Sequence, residues 1–132
     1  MTRRRSQRGQ TTVEFALVLP ALFIFLLGIF QVGITYFNQE ALQTAARDGA
    51  RAASIHTGNT PAEIQAFAIQ AIKDNATGLD TSTTGPMTIS VGCGLCNSGD
   101  IVTVTVTYPW KLGIYALSAN GTLSTTTQLR ME

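Results

Sequence analysis

Between Phe15 and Gln39 the chain carries no charged side chain for 25 consecutive positions. A bilayer span needs about 20 predominantly apolar residues. Read as a helix rising about 1.5 Å per residue, Phe15 to Phe37 covers roughly 35 Å, enough to cross with modest tilt. The charges before the run orient it. Arg3, Arg4, Arg5 and Arg8 put four positive charges in the first eight residues, and nothing comparable follows the run. The positive-inside rule then places the amino terminus in the cytoplasm and the rest of the chain across the membrane. Tyr36 and Phe37 suit the far interface. Pro20 lies inside the span and frees a carbonyl there, which membrane helices tolerate when neighbours compensate.

Composition narrows the class. The chain has 132 residues, 45% of them apolar and only 13% charged, which excludes a disordered polymer. The formal net charge of +1 excludes a globally basic nucleic-acid binder. One His and two Cys exclude most self-contained metal sites, and no cofactor is expected. No nucleophile–base–acid set can be assembled, so the chain does not read as an enzyme. His56 reads as a helix-end residue.

A removable secretory signal fits the first segment poorly. Its apolar core would be about 7–15 residues with a small-residue cleavage site after it. Glu14 distinguishes two further readings. A carboxylate at the lip of a span costs on the order of 2–3 kcal/mol if drawn inward, so a plain anchor gains nothing from it.

Gly9 follows the Arg cluster, and Glu14 is the fifth residue after Gly9. The string RRRSQRGQTTVEFALVLP resembles the class III leader of type IV pilin-like proteins. It is closer still to the TadE-like pseudopilins of the tight-adherence (Tad, or Flp) pilus system. AARDGARAA, VTVTVTYPWK and GTLSTTTQLRME also look like that family, while the middle from about Ile55 to Gly85 does not. The resemblance implies a minor pilin or pseudopilin of a bacterial pilus serving adherence or secretion. It implies cleavage between Gly9 and Gln10 by a prepilin peptidase at the cytoplasmic membrane face. Glu14, followed by Phe15, would pair with the new amino terminus of a neighbouring subunit. The implied partners are the peptidase, other pilins or pseudopilins, the inner-membrane assembly platform and the membrane. Gln10 stands where common type IV pilins carry Phe, a departure that fits the tight-adherence branch. The alternatives are an uncleaved membrane-anchored accessory protein and a membrane-tethered thiol oxidoreductase.

The expected organisation is a leader over 1–9, a transmembrane and assembly helix over 10–37, and an extracytoplasmic stem and head over 38–132. The fold class is α+β. Ala45, Gly49 and Ala53 recur every four residues with Ala46 and Ala50 alongside. This small-residue face suits packing on the chain's own sheet, or on a neighbouring helix. Arg47, Asp48 and Arg51 form a solvated flank. Thr60-Pro61-Ala62-Glu63 is a helix start with the residues of a capping box. Ile64, Phe67, Ala68, Ala71 and Ile72 then supply an apolar face. Thr81–Gly85 is a polar loop.

Three strands follow. Met87, Ile89 and Val91 alternate with polar residues. Val102, Val104 and Val106 alternate with Thr103, Thr105 and Thr107. Pro109 is expected to close that strand. Leu112–Leu117 is open between a short helix and a loop, Asn120-Gly121 signals a turn, and Thr122–Met131 reads as the third strand. Cys93 and Cys96 fall in the loop between the first two strands. Outside the cytoplasm they are expected to form a local disulfide, with free thiols or redox work as alternatives.

Overall fold

The computed structural model describes residues 5–56, 60–82, 84–114 and 117–132. Arg3 and Arg4 of the expected leader, Thr83 of the polar loop and Tyr115-Ala116 lie outside them. The elements are α1 (Arg5–Ser54), α2 (Pro61–Asn75), β1 (Thr88–Cys93), β2 (Ile101–Ile114) and β3 (Leu117–Arg130). The layout is α+β, with a sheet of order β1-β2-β3 whose neighbours are antiparallel.

α1 is one 50-residue helix that runs through Pro20 without stopping. Its carboxy-terminal part packs on α2, β2 and β3, while α2 also reaches β1. The core lies between these helices and the inner face of the sheet. Leu42, Ala45, Ala46, Ala50 and Ala53 of α1, Ile64, Ala68 and Ile72 of α2, and Val102, Val104 and Val106 of β2 have no exposed surface. The head therefore has no core without the stem.

The small-residue stripe is filled largely by α2. A Cβ on Gly49 would lie 2.7 Å from Ile72 Cδ1 and 3.2 Å from the Ala68 carbonyl oxygen. Glycine here allows the two helices to approach closely. The capping box is complete. Thr60 Oγ1 accepts from the Glu63 N–H at 3.4 Å, and the Thr60 N–H donates back to Glu63 Oε2 at 3.0 Å. This reciprocal pairing holds the Glu63 carboxyl below its ordinary pKa, chiefly through the backbone hydrogen bond from Thr60. At the end of α1, His56 donates from Nδ1 to the Ala52 carbonyl at 2.6 Å and stacks on Phe67, ring centroids 4.1 Å apart. Phe67 is thus half-exposed and covers the helix end, while Ile64, Ala68 and Ile72 form the buried face.

Two expectations about the sheet are corrected. Pro109 does not close β2, which continues to Ile114. β1 stops at Thr88, opposite Thr107, so Pro109 pairs only with Thr122 of β3. A residue without an N–H is tolerated where one side of a strand has no neighbour. Asn120-Gly121 is not a turn either. Both residues lie inside β3, and the register runs unbroken to Ile114 opposite Leu117. Gly121 is opposite Trp110, and a Cβ there would lie 2.7 Å from the indole Nε1. Its glycine makes room for the ring. Of the segment 112–117, residues 112–114 and Leu117 have strand backbone, where a short helix or loop was expected.

Candidate functional site: an apolar helix with Glu14 at one end

The first half of α1 touches little of the head. Its apolar side chains from Val13 to Phe37 stand exposed, Leu17 at 76% and Phe30 at 72%. They point in all directions around the axis, so no single face would be covered by a globular core. A helix apolar all round belongs inside a bilayer or a bundle. By length and composition α1 is the one helix among the described residues able to cross a membrane, with a mean hydropathy of 2.5 over its most apolar window.

Gly9, Gln10, Glu14 and Phe15 lie on successive turns of this helix, which begins at Arg5 inside the basic amino-terminal segment. Nothing lies within 4 Å of a Cβ placed on Gly9. Glu14 is exposed, and Gln10 Nε2 donates to its Oε1 at 3.3 Å. The carboxylate thus has a neutral amide for a partner within its own chain.

Cys93 ends β1 and Cys96 lies in the loop that follows. The structure joins them as a disulfide, Cα atoms 5.2 Å apart. Cys96 has a positive φ of 56° and is buried, while Leu95 between them points out at 81% exposure. Asp100 fastens the loop, its Oδ2 accepting from the N–H groups of Leu95 and Asn97, both at 3.1 Å. The chain end ties in nearby. Gly99 N–H donates to the Met131 carbonyl at 2.9 Å, Met131 N–H to that of Asp100 at 2.8 Å, and Glu132 N–H to that of Ser54 at 3.3 Å. Among the described residues no three His, Cys, Asp or Glu side chains gather as metal ligands would.

One long-range contact joins the sheet to the apolar part of α1. The β2–β3 hairpin reaches back along α1, and Gln31 Nε2 donates to the Gly113 carbonyl at 3.5 Å. Between them is a cleft of about 420 Å³, lined by Gln31, Ile34, Thr35 and Asn38 of α1 and by Tyr108 and Trp110 of β2. Gln31 Oε1 is buried there without a hydrogen-bond partner among the described residues. Gln31 is the one of three amides in the uncharged run that lies away from its end, Asn38 and Gln39 closing it, and that placement is the signal that could have marked it.

No curated protein and no solved structure matches the chain. The model of the family described as TadE-like protein matches residues 9–51. That match starts at Gly9, takes in Glu14 and the whole apolar run, and ends at Arg51 within the small-residue stripe. The tail motifs that resemble the family lie beyond it. Over residues 9–51, about a third of the chain, the sequence is therefore similar to the TadE-like family.

Proposed function

We propose that the chain is a minor pilin or pseudopilin of a tight-adherence pilus, made as a precursor and cut between Gly9 and Gln10. The observation that carries this reading is the placement of Glu14. It stands five residues after Gly9, at the mouth of a helix whose apolar residues are left exposed, in a segment matched by the family from Gly9 onward. The role is mechanical rather than catalytic: the span enters or primes a helical bundle while the head stays outside the cytoplasm.

The chemistry of the cut supports it. Glycine within a helix costs about 0.5–1 kcal/mol relative to alanine, so the helix opens more readily at Gly9 than at the residues beside it. Its missing side chain lets a protease reach the backbone. Cleavage would convert the Gln10 amide into an ammonium. A carboxylate drawn toward the bilayer is tolerable beside such a cation, which a neighbouring subunit would supply and the neutral Gln10 side chain does not.

Amino-terminal sequencing and intact mass of the membrane-associated protein from its native host test the processing. A chain beginning at Gln10 supports the reading. A chain beginning at Met1 or Thr2, in cells with an active prepilin peptidase, would establish an uncleaved anchor instead. Glu14→Ala should leave the precursor stable and cleavable but abolish pilus assembly. Normal pili from that variant would remove Glu14 from the mechanism.

A further inference from the structure

We infer that the β2–β3 hairpin is a second membrane-contacting element, which rests in the outer leaflet at the boundary between headgroups and acyl chains. This rests on α1 lying in the bilayer, and the observations behind it are of level and chemistry. At about 1.5 Å per residue, Gln31 lies roughly 24 Å and Thr35 roughly 30 Å along the helix from Phe15. The hydrocarbon core is about 30 Å thick. With Phe15 at one boundary, Thr35 is at the other, and Gln31 is one turn inside it.

The hairpin occupies those levels. Trp110 and Thr35 line two clefts together, and Val32, Tyr36 and Leu123 line the second with them. Gly113 is hydrogen-bonded to Gln31, a turn deeper. Glu14 restricts the alternative in which the whole assembly rides higher. Only about 26 Å of helix separates Glu14 from Gln31, less than the hydrocarbon thickness. Lifting the hairpin clear of the lipid would draw the carboxylate into it.

The residues at these levels suit the interface. Trp110 is an aromatic ring at the expected boundary, where indoles settle. Lys111 can extend its ammonium toward lipid phosphates. From Leu112 to Leu129 there is no charged residue, and the register brings Leu112, Gly113 and Ile114 opposite Ala119, Ser118 and Leu117. Unpaired strand edges are forbidden in hydrocarbon. Beyond Thr107, β2 has no neighbouring strand on its β1 side among the described residues. Two groups of this part of β2 are nevertheless provided for: Pro109 brings no N–H, and the Gly113 carbonyl accepts from Gln31. The outer edge of β3 has no neighbouring strand among the described residues, and water and headgroups at the interface can satisfy it. The hairpin would then set the depth of the span and the tilt of the head.

Trp110 is the chain's single tryptophan, which makes the test direct. The full-length chain is reconstituted at low protein-to-lipid ratio in phosphatidylcholine–phosphatidylglycerol vesicles carrying phosphatidylcholine brominated either high or low on its acyl chains. Bromine high on the chains should reduce Trp110 emission at least about twofold, as expected for an indole at the interface. Bromine deep in the bilayer should quench less, and aqueous iodide little. A control variant, Trp110→Phe with Phe23→Trp, reports the span. Control quenched with Trp110 unquenched overturns the inference and leaves the anchor intact. Both unquenched overturns the inference together with the membrane placement of α1. Trp110 shielded from both bromine and iodide would mean that a second protein copy covers the hairpin, and it too overturns the inference.

Discussion

Replacing Gly49 with alanine sets two effects of known size against each other. Alanine in a helix interior is favoured over glycine by about 1 kcal/mol. Here the new methyl would run into Ile72 Cγ1, with Cδ1 at 2.7 Å and the Ala68 carbonyl oxygen at 3.2 Å, well inside the roughly 3.5–4.0 Å of a comfortable carbon contact. Ile72 is fully buried, so its chain end has nowhere open to go. The carbonyl belongs to the α2 backbone and moves only if the helix moves. Overpacking of this kind costs about 1–3 kcal/mol, so the sum is a net loss near 1 kcal/mol. For a domain of this size that lowers Tm by about 4–8 °C, read by circular dichroism or calorimetry on the full chain in detergent. Ile72→Ala alone should cost about 2–5 kcal/mol. In the double variant the Gly49→Ala methyl falls into the vacated space, so the combined loss should be smaller than the sum by about 1 kcal/mol. Gly28→Ala and Gly33→Ala are the controls, with nothing within 4 Å of either Cβ, and should leave the head unchanged. A Gly49→Ala chain more stable than wild type, or strict additivity with Ile72→Ala, would refute the close helix contact.

Three other perturbations follow from the head. Thr60→Ala removes the N-cap of α2 and should destabilise the head by about 1 kcal/mol, visible as faster amide exchange at the start of α2. Acidification should weaken the head, because Glu63 and Asp80 titrate below their ordinary values of 4.5 and 3.8, Asp80 chiefly through the side-chain hydrogen bond from Ser82. A depressed carboxyl contributes stability that is present above the unfolded pKa and lost as pH falls through the folded one. The fall in Tm between about pH 5 and pH 3 should accordingly be small, since both groups are exposed, and smaller still in Glu63→Gln. The double variant Cys93→Ser, Cys96→Ser should fold and lose at most about 2 kcal/mol, the loop-closure share of so short a ring. Outright unfolding would show that the loop holds more of the head than its size implies.

Local chemistry made much of this legible. The capping box at Thr60, the alternation of Val102, Val104 and Val106, and the charge-free run after Phe15 each act over a few residues, and each appears in the structure. Pro109 and Asn120-Gly121 misled because their ordinary meanings assume a particular neighbourhood. Proline ends a strand that is paired on both sides, but β2 is paired on one side beyond Thr107. Asn-Gly makes a turn when the strand pairing demands one, but here Gly121 is required opposite a tryptophan ring. The contact between Gln31 and Gly113 spans 82 positions and depends on how far the hairpin extends, which the misread Pro109 concealed. At the amino-terminal end the limit is different. In the proposed role Gly9 and Glu14 act through a protease and a neighbouring subunit, whereas the structure shows Glu14 accepting a hydrogen bond from Gln10 of its own helix.

The use of α1 follows from what each half has left to offer. The small-residue stripe from Ala45 to Ala53 would serve well as a seam between subunits, since it lets backbones approach closely. In this chain it is spent, with Gly49 against Ile72 and Ala45, Ala46, Ala50 and Ala53 sealed in the core. Opening it for a neighbour would mean displacing α2 and exposing Ile64, Ala68 and Ile72, at about 1.5–3 kcal/mol for each large side chain. A second subunit that packs on this helix without unfolding the head must use the stretch before the stem, from Val13 to Phe37, where the apolar surface is open. Glu14 stands at the start of that stretch, and Trp110 with Gln31 stands near its end. The exposed apolar stretch of α1 is thereby bounded by the Glu14 carboxylate at one end and by the hairpin at the other.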